Sequence, residues 1–241
     1  MTTQTVHLKA KTEAANGTIA FHLEKPQGFE FRPGQAIDVI LADAGEARNT
    51  GDGRHAFSIV SAPHEDELVV TTRMRDSTFK KALGSIPIGG VVEIDGPFGS
   101  LTLHKKVERA GVLIAGGIGI TPFMSMLRDA AHRQSPQPLA LLYSNRRPED
   151  TAFLAELQQM EKTNPHFKLV ATMTDMAKSS QSWNGETGVI DADYVKRATA
   201  HLPAPIFYLC GPPGMVEAMR NMLAEAGYDE DDVRSEEFYG Y

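Results

Sequence analysis

Val112-Leu-Ile-Ala-Gly-Gly-Ile-Gly-Ile-Thr-Pro122 carries an apolar run into Gly116, Gly117 and Gly119, after which Thr121-Pro122 opens an amphipathic segment. A strand that runs into a glycine turn and a helix start leaves bare backbone N–H groups beside a helix N-terminus. That geometry attracts the pyrophosphate of a dinucleotide. Thr121 suits a helix cap and Pro122 the first helical position, so the boundary is marked chemically as well as by glycine. The pattern is G-x-G-x-x-P and not the commoner G-x-G-x-x-G. Alone, it also fits a tight strand-to-helix turn that holds no ligand.

Downstream, strand and helix alternate. The spacing predicts strands at 112–115, 139–143, 167–172, 206–210 and 233–238, with helices at 122–133, 149–161, 191–199 and 213–226 between them. Such alternation implies a doubly wound parallel sheet with helices on both faces. At Ile206-Phe-Tyr-Leu-Cys210 a second buried run ends in Gly211-Pro-Pro-Gly-Met215. Ligands of an open parallel sheet sit at the carboxyl ends of strands where the winding reverses, so the two turns can form two sides of one slot. Cys210 at the strand end is either packing or a wall of that slot.

Upstream the rhythm is different. Segments 18–24, 35–41, 56–61, 68–73 and 91–95 are short, alternating or β-branched, and are punctuated by Asn16-Gly17, Pro33-Gly34, Gly51-Asp-Gly53, Gly89-Gly90 and Gly96-Pro97. They predict a small antiparallel barrel, interrupted by one short helix near 77–83. His104–Arg109 is the natural boundary, giving domains 1–106 and 107–241.

Bulk properties narrow the chemistry. The chain has 241 residues, 24 basic against 31 acidic, a net charge of −7 and no long basic run, which argues against nucleic-acid binding. No membrane-length apolar run or signal-peptide core is visible, so a cytoplasmic protein is expected. Cys210 is the only cysteine, so the chain can form no internal disulfide and cannot hold a four-cysteine iron–sulfur cluster. Eight scattered histidines give no zinc spacing, and no metal site is expected. No G-x-S-x-G is present. Any chemistry is expected from an organic cofactor.

Taken together, Gly116–Pro122 and Cys210–Met215 resemble the nicotinamide-nucleotide domain of ferredoxin–NAD(P) reductase-like flavin oxidoreductases. Phe31-Arg-Pro-Gly-Gln35, Ala56-Phe-Ser-Ile-Val-Ser-Ala-Pro63 and Gly96-Pro-Phe-Gly99 resemble that family's flavin-binding barrel. Trp183-x-Gly185-x-x-Gly188-Val189 and Glu236–Tyr241 also have counterparts there. The resemblance implies a six-stranded antiparallel FAD-binding barrel followed by a doubly wound nucleotide domain, without an iron–sulfur domain. It further implies an Arg-x-Tyr/Phe-Ser strand, of which Phe57 and Ser58 are present, with Ser58 near flavin N5. The arginine is missing. His55 stands in its register as a candidate phosphate-side contact, and Arg54 is one residue early, on the opposite strand face. Ala56 and Ile59 flank the pair, Thr72 and Met74 follow the fifth strand segment, and Ser77 or Thr78 opens the small helix in place of a Gly-x-x-Ser/Thr phosphate element. FAD is expected over FMN.

By the same resemblance Gly117, Ile118, Gly119, Thr121, Pro122, Cys210, Gly211, Pro212 and Met215 line the nicotinamide slot. Phe238, or alternatively Tyr239 or Tyr241, stacks on the flavin, and Glu237 is a candidate proton relay. Ser58, Thr121, Cys210 and Phe238 are the expected catalytic set. Asp175 favours NADH, whereas Ser144-Asn145-Arg146-Arg147 can hold the extra phosphate of NADPH. The expected reaction passes hydride from NAD(P)H to FAD N5 and then electrons to a separate acceptor, a ferredoxin-type protein or a small molecule. The alternatives are a flavin, ferric or quinone reductase, a non-catalytic flavin-binding subunit, and a sensor of nicotinamide state.

Overall fold

The structure is a computed structural model that describes residues 3–41 and 53–239. Residues 51 and 52 of the expected Gly51–Gly53 turn, and Tyr241, lie outside the described residues. Contacts divide the chain into two units. One holds the chain up to Thr102 together with Thr121–Asp129, and the other holds Leu103–Ile120 and the chain from Ala130 onward.

Six antiparallel strands form the first unit: β1 (Gln4–Ala15), β2 (Thr18–Glu24), β3 (Ala36–Ile40), β4 (Arg54–Ser58), β5 (Glu67–Arg73) and β6 (Val91–Phe98). Their order is β4-β3-β6-β1-β2-β5. The ends join through the Ile59–Val70 bridge and a 2.7 Å hydrogen bond from Val60 N to the Val69 carbonyl, so the sheet closes into the expected barrel just past the end of β4. Leu8, Phe21, Leu23, Ile37, Val39, Ile59, Leu68, Val70, Val92 and Ile94 fill it, together with Phe79 and Leu83 from helix α1 (Thr78–Ser85). Phe79 and Leu83 are four residues apart and so share one helix face. β1 is absent from the five strand segments named in the sequence. Register shifts at Leu8/Ala10 and at Glu13/Ala15 break its period of two, and none of its second half, 10–15, is buried.

The second unit is a parallel sheet of β7 (Gly111–Gly116), β8 (Leu139–Asn145), β9 (Phe167–Met173), the two-residue β10 (Glu186–Thr187), β11 (Ile206–Gly211) and β12 (Val233–Glu237). The order is β10-β9-β8-β7-β11-β12. Winding therefore runs outward from β7 in one direction and from β11 in the other, which makes the β7–β11 seam the switch point. Val112, Ile114, Ala140, Leu142, Phe207 and Leu209 pack against Tyr194 and Val195 of α4 (Ala192–Thr199) and Val216 and Leu223 of α5 (Pro213–Glu225). The alternate residues Leu113, Ala115, Leu141 and Tyr143 are equally buried on the other face. Burial on both faces explains the continuous apolar runs of β7 and β11. The remaining helices are α2 (Thr121–His132) and α3 (Leu154–Thr163). α3 starts five residues later than the spacing predicts. Pro148–Asp150 makes a separate 3-10 turn, and Phe153 enters the helix in the left-handed region at φ +61°.

Candidate functional site

At the end of β7, a 3-10 turn over Gly117–Ile120 winds directly into α2, so Thr121 is the first helical residue and not an extended cap. Gly117 lies at φ +53°, and nothing stands within 4 Å of where its Cβ would be. A left-handed residue with one open side is where a ligand can approach the backbone. Gly119 has a different task. A Cβ there would overlap the Cys210 carbonyl and come within 2.7 Å of the Gly211 nitrogen, so a glycine is what lets the two turns meet. Ile118 is half-buried, and Thr121 and Pro122 are buried.

On β11, Cys210 stands opposite Ala115 and Gly211 follows. α5 opens at Pro213, with Met215 N donating to the Pro212 carbonyl at 2.9 Å. Thus Gly117, Gly119, Cys210, Gly211, Pro212 and Met215 gather at the switch point. Cys210 is fully buried, and burial, with the charge of Glu236 beside it, pushes its thiol well above its ordinary range. Glu236 is its register partner on β12, and burial raises that carboxyl too. Glu237, singled out in the sequence, is instead exposed and accepts a hydrogen bond from Tyr239 Oη at 2.5 Å. Phe238 N donates to the Gly211 carbonyl at 3.0 Å, which fixes this half-buried aromatic residue to the second turn.

The ends of β8 and β9 are tied together. Thr174 donates to the Asn145 carbonyl through its N–H and hydroxyl at 2.9 and 3.2 Å, and Asp175 N donates to the Arg146 carbonyl at 2.8 Å. The ends of β8 and β9 therefore bring Asn145 and Arg146 beside Thr174 and Asp175. Asn145 is buried, and both of its amide atoms are without a hydrogen-bond partner. Arg146 is exposed. Arg147 is gripped by Asp150 at 2.7 and 2.9 Å, and the Asp175 carboxylate pairs with Lys178 at 3.1 Å.

In the barrel, Ser58 is 5% exposed and its hydroxyl has no partner. A buried polar atom left alone costs about 1–3 kcal/mol, which a bound polar group would offset. This orphan sits on β4, the strand to which the resemblance assigns the flavin, and a buried hydroxyl without a partner fits such a group. His55 is exposed and rests its ring on Phe79, with centroids 4.2 Å apart, while Phe57 stacks on Phe79 at 6.0 Å. Arg54 is held by Asp38 at 2.8 Å and by Asp95 at 2.7 Å. Ala56 is exposed, Ile59 closes the barrel, Thr72 is buried, Met74 packs on the core, and Thr78 is exposed at the start of α1. Ser77 caps α1, its Oγ accepting from Lys80 N at 3.2 Å.

Residues 113–221 match the family model of the oxidoreductase NAD-binding domain. The reductase component 1 of terephthalate 1,2-dioxygenase from Comamonas sp is 27% identical over 228 residues, covering 92% of this chain and 64% of that protein. The reductase component of propane 2-monooxygenase from Mycolicibacterium smegmatis is 28% identical, covering 89% of this chain and 61% of that protein. A ferredoxin NADP+ reductase from Neisseria gonorrhoeae, solved with bound FAD and NADP, superposes with a TM-score of 0.81 at 21% identity, covering 98% of both chains. Residues 113–221 thus carry an oxidoreductase NAD-binding domain, and the chain as a whole is similar to the reductase components of oxygenases. It spans somewhat under two thirds of the length of these two reductase components.

Sequence reading of this reductase-like chain missed two features. Glu236, not Glu237, is the acidic residue that burial sets apart, because the parallel register places it beside Cys210. The other is a group of cations around the start of α1: Arg73, Arg75 and Lys80. A visible signal was the absence of any acidic residue from the first turn of α1, where Lys80 stands instead. Helix starts ordinarily favour Asp and Glu.

Proposed function

We infer that this chain is an FAD-dependent NAD(P)H oxidoreductase that takes hydride from a nicotinamide dinucleotide onto flavin and passes electrons to a separate acceptor. The observation that carries the reading is the meeting of Gly117–Pro122 with Cys210–Met215 across β7 and β11, at the sheet's switch point. Residues 1–106 form the FAD domain and 107–241 the nucleotide domain. When bound, flavin supplies acceptance of a hydride and release of single electrons.

The protein's share is binding and orientation. Ser58 Oγ offers its otherwise unsatisfied hydroxyl to the flavin, with Phe57 packing beside it. Gly117, with open space where a Cβ would stand, lets the dinucleotide phosphates approach the backbone, and Thr121 and Pro122 start the helix that follows. Cys210 presents a neutral thiol, and Glu236 keeps its carboxyl proton to higher pH than an exposed carboxylate does. Phe238, anchored on Gly211, is the terminal aromatic group of the site. NADH is favoured over NADPH because Asp150 withdraws Arg147 from any phosphate, while Asp175 remains at the ends of β8 and β9.

The acceptor is a separate redox protein, consistent with relatives described as reductase components of oxygenases. With one cysteine, the described chain itself holds no four-cysteine cluster. Among the described residues no helix is long and apolar enough to cross a membrane, and we place the protein in the cytoplasm. The test is anaerobic titration of the flavin-loaded protein with NADH and then NADPH. Flavin absorbance should bleach with NADH at the lower concentration. A protein that takes up no flavin, or a loaded one that neither nucleotide bleaches, overturns the reading.

A further inference from the structure

We propose that Glu149 is a positioning residue for nucleotide selection: its carboxylate clasps segment 176–180 onto the loop after β8 and thereby holds Asp175 where the ribose of NADH is read. The inference rests on the nucleotide reading above and deepens it, by naming what keeps Asp175 in place.

The chain that leaves β9 is not held by a core. Met176–Lys178 makes a single 3-10 turn in which no residue is buried, so apolar packing does not fix it. Hydrogen bonds from the loop after β8 hold it instead. Glu149 accepts from the Ser179 hydroxyl at 2.8 Å, and from the Ser180 N–H and hydroxyl at 2.9 and 3.2 Å. Arg147 Nη1 adds one bond of 3.2 Å to the Lys178 carbonyl. The Glu149 side chain is 10% exposed, so these donors replace most of the water that an open carboxylate would have. They also hold its carboxyl down to about 2, which leaves the clasp charged at neutral pH.

Asp175 depends on that clasp. Its N–H donates to the Arg146 carbonyl at 2.8 Å, its carbonyl accepts from Lys178 N at 3.2 Å, and its carboxylate pairs with Lys178 Nζ at 3.1 Å. Lys178 adjoins Ser179 and Ser180, so releasing the two serines loosens the residue that orients the Asp175 carboxylate. The charges of Asp150, Glu149 and Asp175 all act on the Arg147 guanidinium, which puts the clasp and the nucleotide-reading acid in one cluster. Selection between NADH and NADPH then turns on a carboxylate that touches neither nucleotide.

The test is calorimetric titration of the flavin-loaded protein with NAD+ and NADP+, which carry the same ribose and phosphates as the reduced forms and do not reduce the flavin. Glu149→Ala should weaken NAD+ about tenfold and NADP+ by no more than about twofold. Glu149→Gln keeps a carbonyl acceptor for the Ser180 N–H and should stay within about threefold of wild type for NAD+. The pair Ser179→Ala/Ser180→Ala removes both hydroxyls from the exposed side, leaves the loop after β8 intact, and should weaken NAD+ selectively by about threefold even if Glu149→Ala does not fold. With Asp175→Asn already present, Glu149→Ala should weaken NAD+ by no more than about twofold, because the clasp acts through Asp175. A purely structural Glu149 would lower Tm and leave the ratio of the two affinities as in wild type, and that result overturns the proposal. So does the full tenfold loss persisting in the Asp175→Asn background. A wild-type protein that binds neither nucleotide overturns the functional reading, and this inference with it.

Discussion

The carboxyl edge of the parallel sheet is built in two ways. At the β7–β11 seam the proposed recognition belongs to the backbone: Gly117 has open space where a Cβ would stand, Gly119 lets the turns touch, and the thiol of Cys210 is buried, which opposes its ionisation. At the ends of β8 and β9 it belongs to side chains, with Asn145, Arg146 and Asp175 gathered on strands joined by Thr174. A backbone site is fixed by packing and tolerates almost no substitution. A side-chain site can be retuned one residue at a time, so under the proposed function the donor's common chemistry and its distinguishing phosphate fall to parts of the edge with different freedom to change.

Gly119→Val tests the rigid part most severely. Its side chain meets the Cys210 carbonyl and Gly211 nitrogen, both backbone, so about 3 kcal/mol should be lost and Tm should fall by about 10 °C in thermal unfolding. Gly117→Ala is milder. No atom blocks the methyl group, and the φ of +53° costs about 1–2 kcal/mol, so weaker NADH binding with a small Tm shift is expected from calorimetry. Equal damage from both variants would erase the distinction between close approach and backbone conformation.

In the adjustable part, Arg147→Ala should lower Tm by a few degrees through loss of its two bonds to Asp150. It should leave the ratio of NADH to NADPH affinity unchanged. A change in that ratio would show that Arg147 reads phosphate after all. The smallest effect concerns pH. Glu149 is held down to about 2, first by the Ser180 N–H and then by the Ser179 and Ser180 hydroxyls. A carboxylate with a depressed pKa contributes stability above its ordinary value of 4.5 that is lost as pH falls toward 2. Hydrogen exchange at the Ser180 amide should therefore lose protection across that window in wild type, and be insensitive to pH there in Glu149→Gln once intrinsic exchange is divided out.

Much of this edge was legible because glycines and prolines interrupt long apolar runs, and such punctuation survives translation into structure. The doubly wound parallel sheet, and the gathering of the two turns, followed from that alternation. Other features depend on partners that spacing does not name. Arg147 reads equally well as a phosphate ligand until Asp150 is seen to take it. Glu236 and Glu237 are neighbours in sequence, and only the pairing with Cys210 tells the half-buried acid from the exposed one. β1 escaped because its bulges break alternation, and α3 was placed too early because Pro148 and Glu149 look like a helix start but turn once and stop. The charge-reversed start of α1 was visible as Ser77-Thr-Phe-Lys-Lys81.

Cys210 also makes the chain its own reporter. It is the single thiol, it lies on a central strand with no solvent exposure, and burial keeps it from ionising. Alkylating reagents consume thiolates, so the folded chain should resist them and each modification should mark an opening of β11. Timed alkylation in native buffer thus clocks how often the sheet comes apart at its seam, and saturation with NADH should slow that clock if the dinucleotide binds across it.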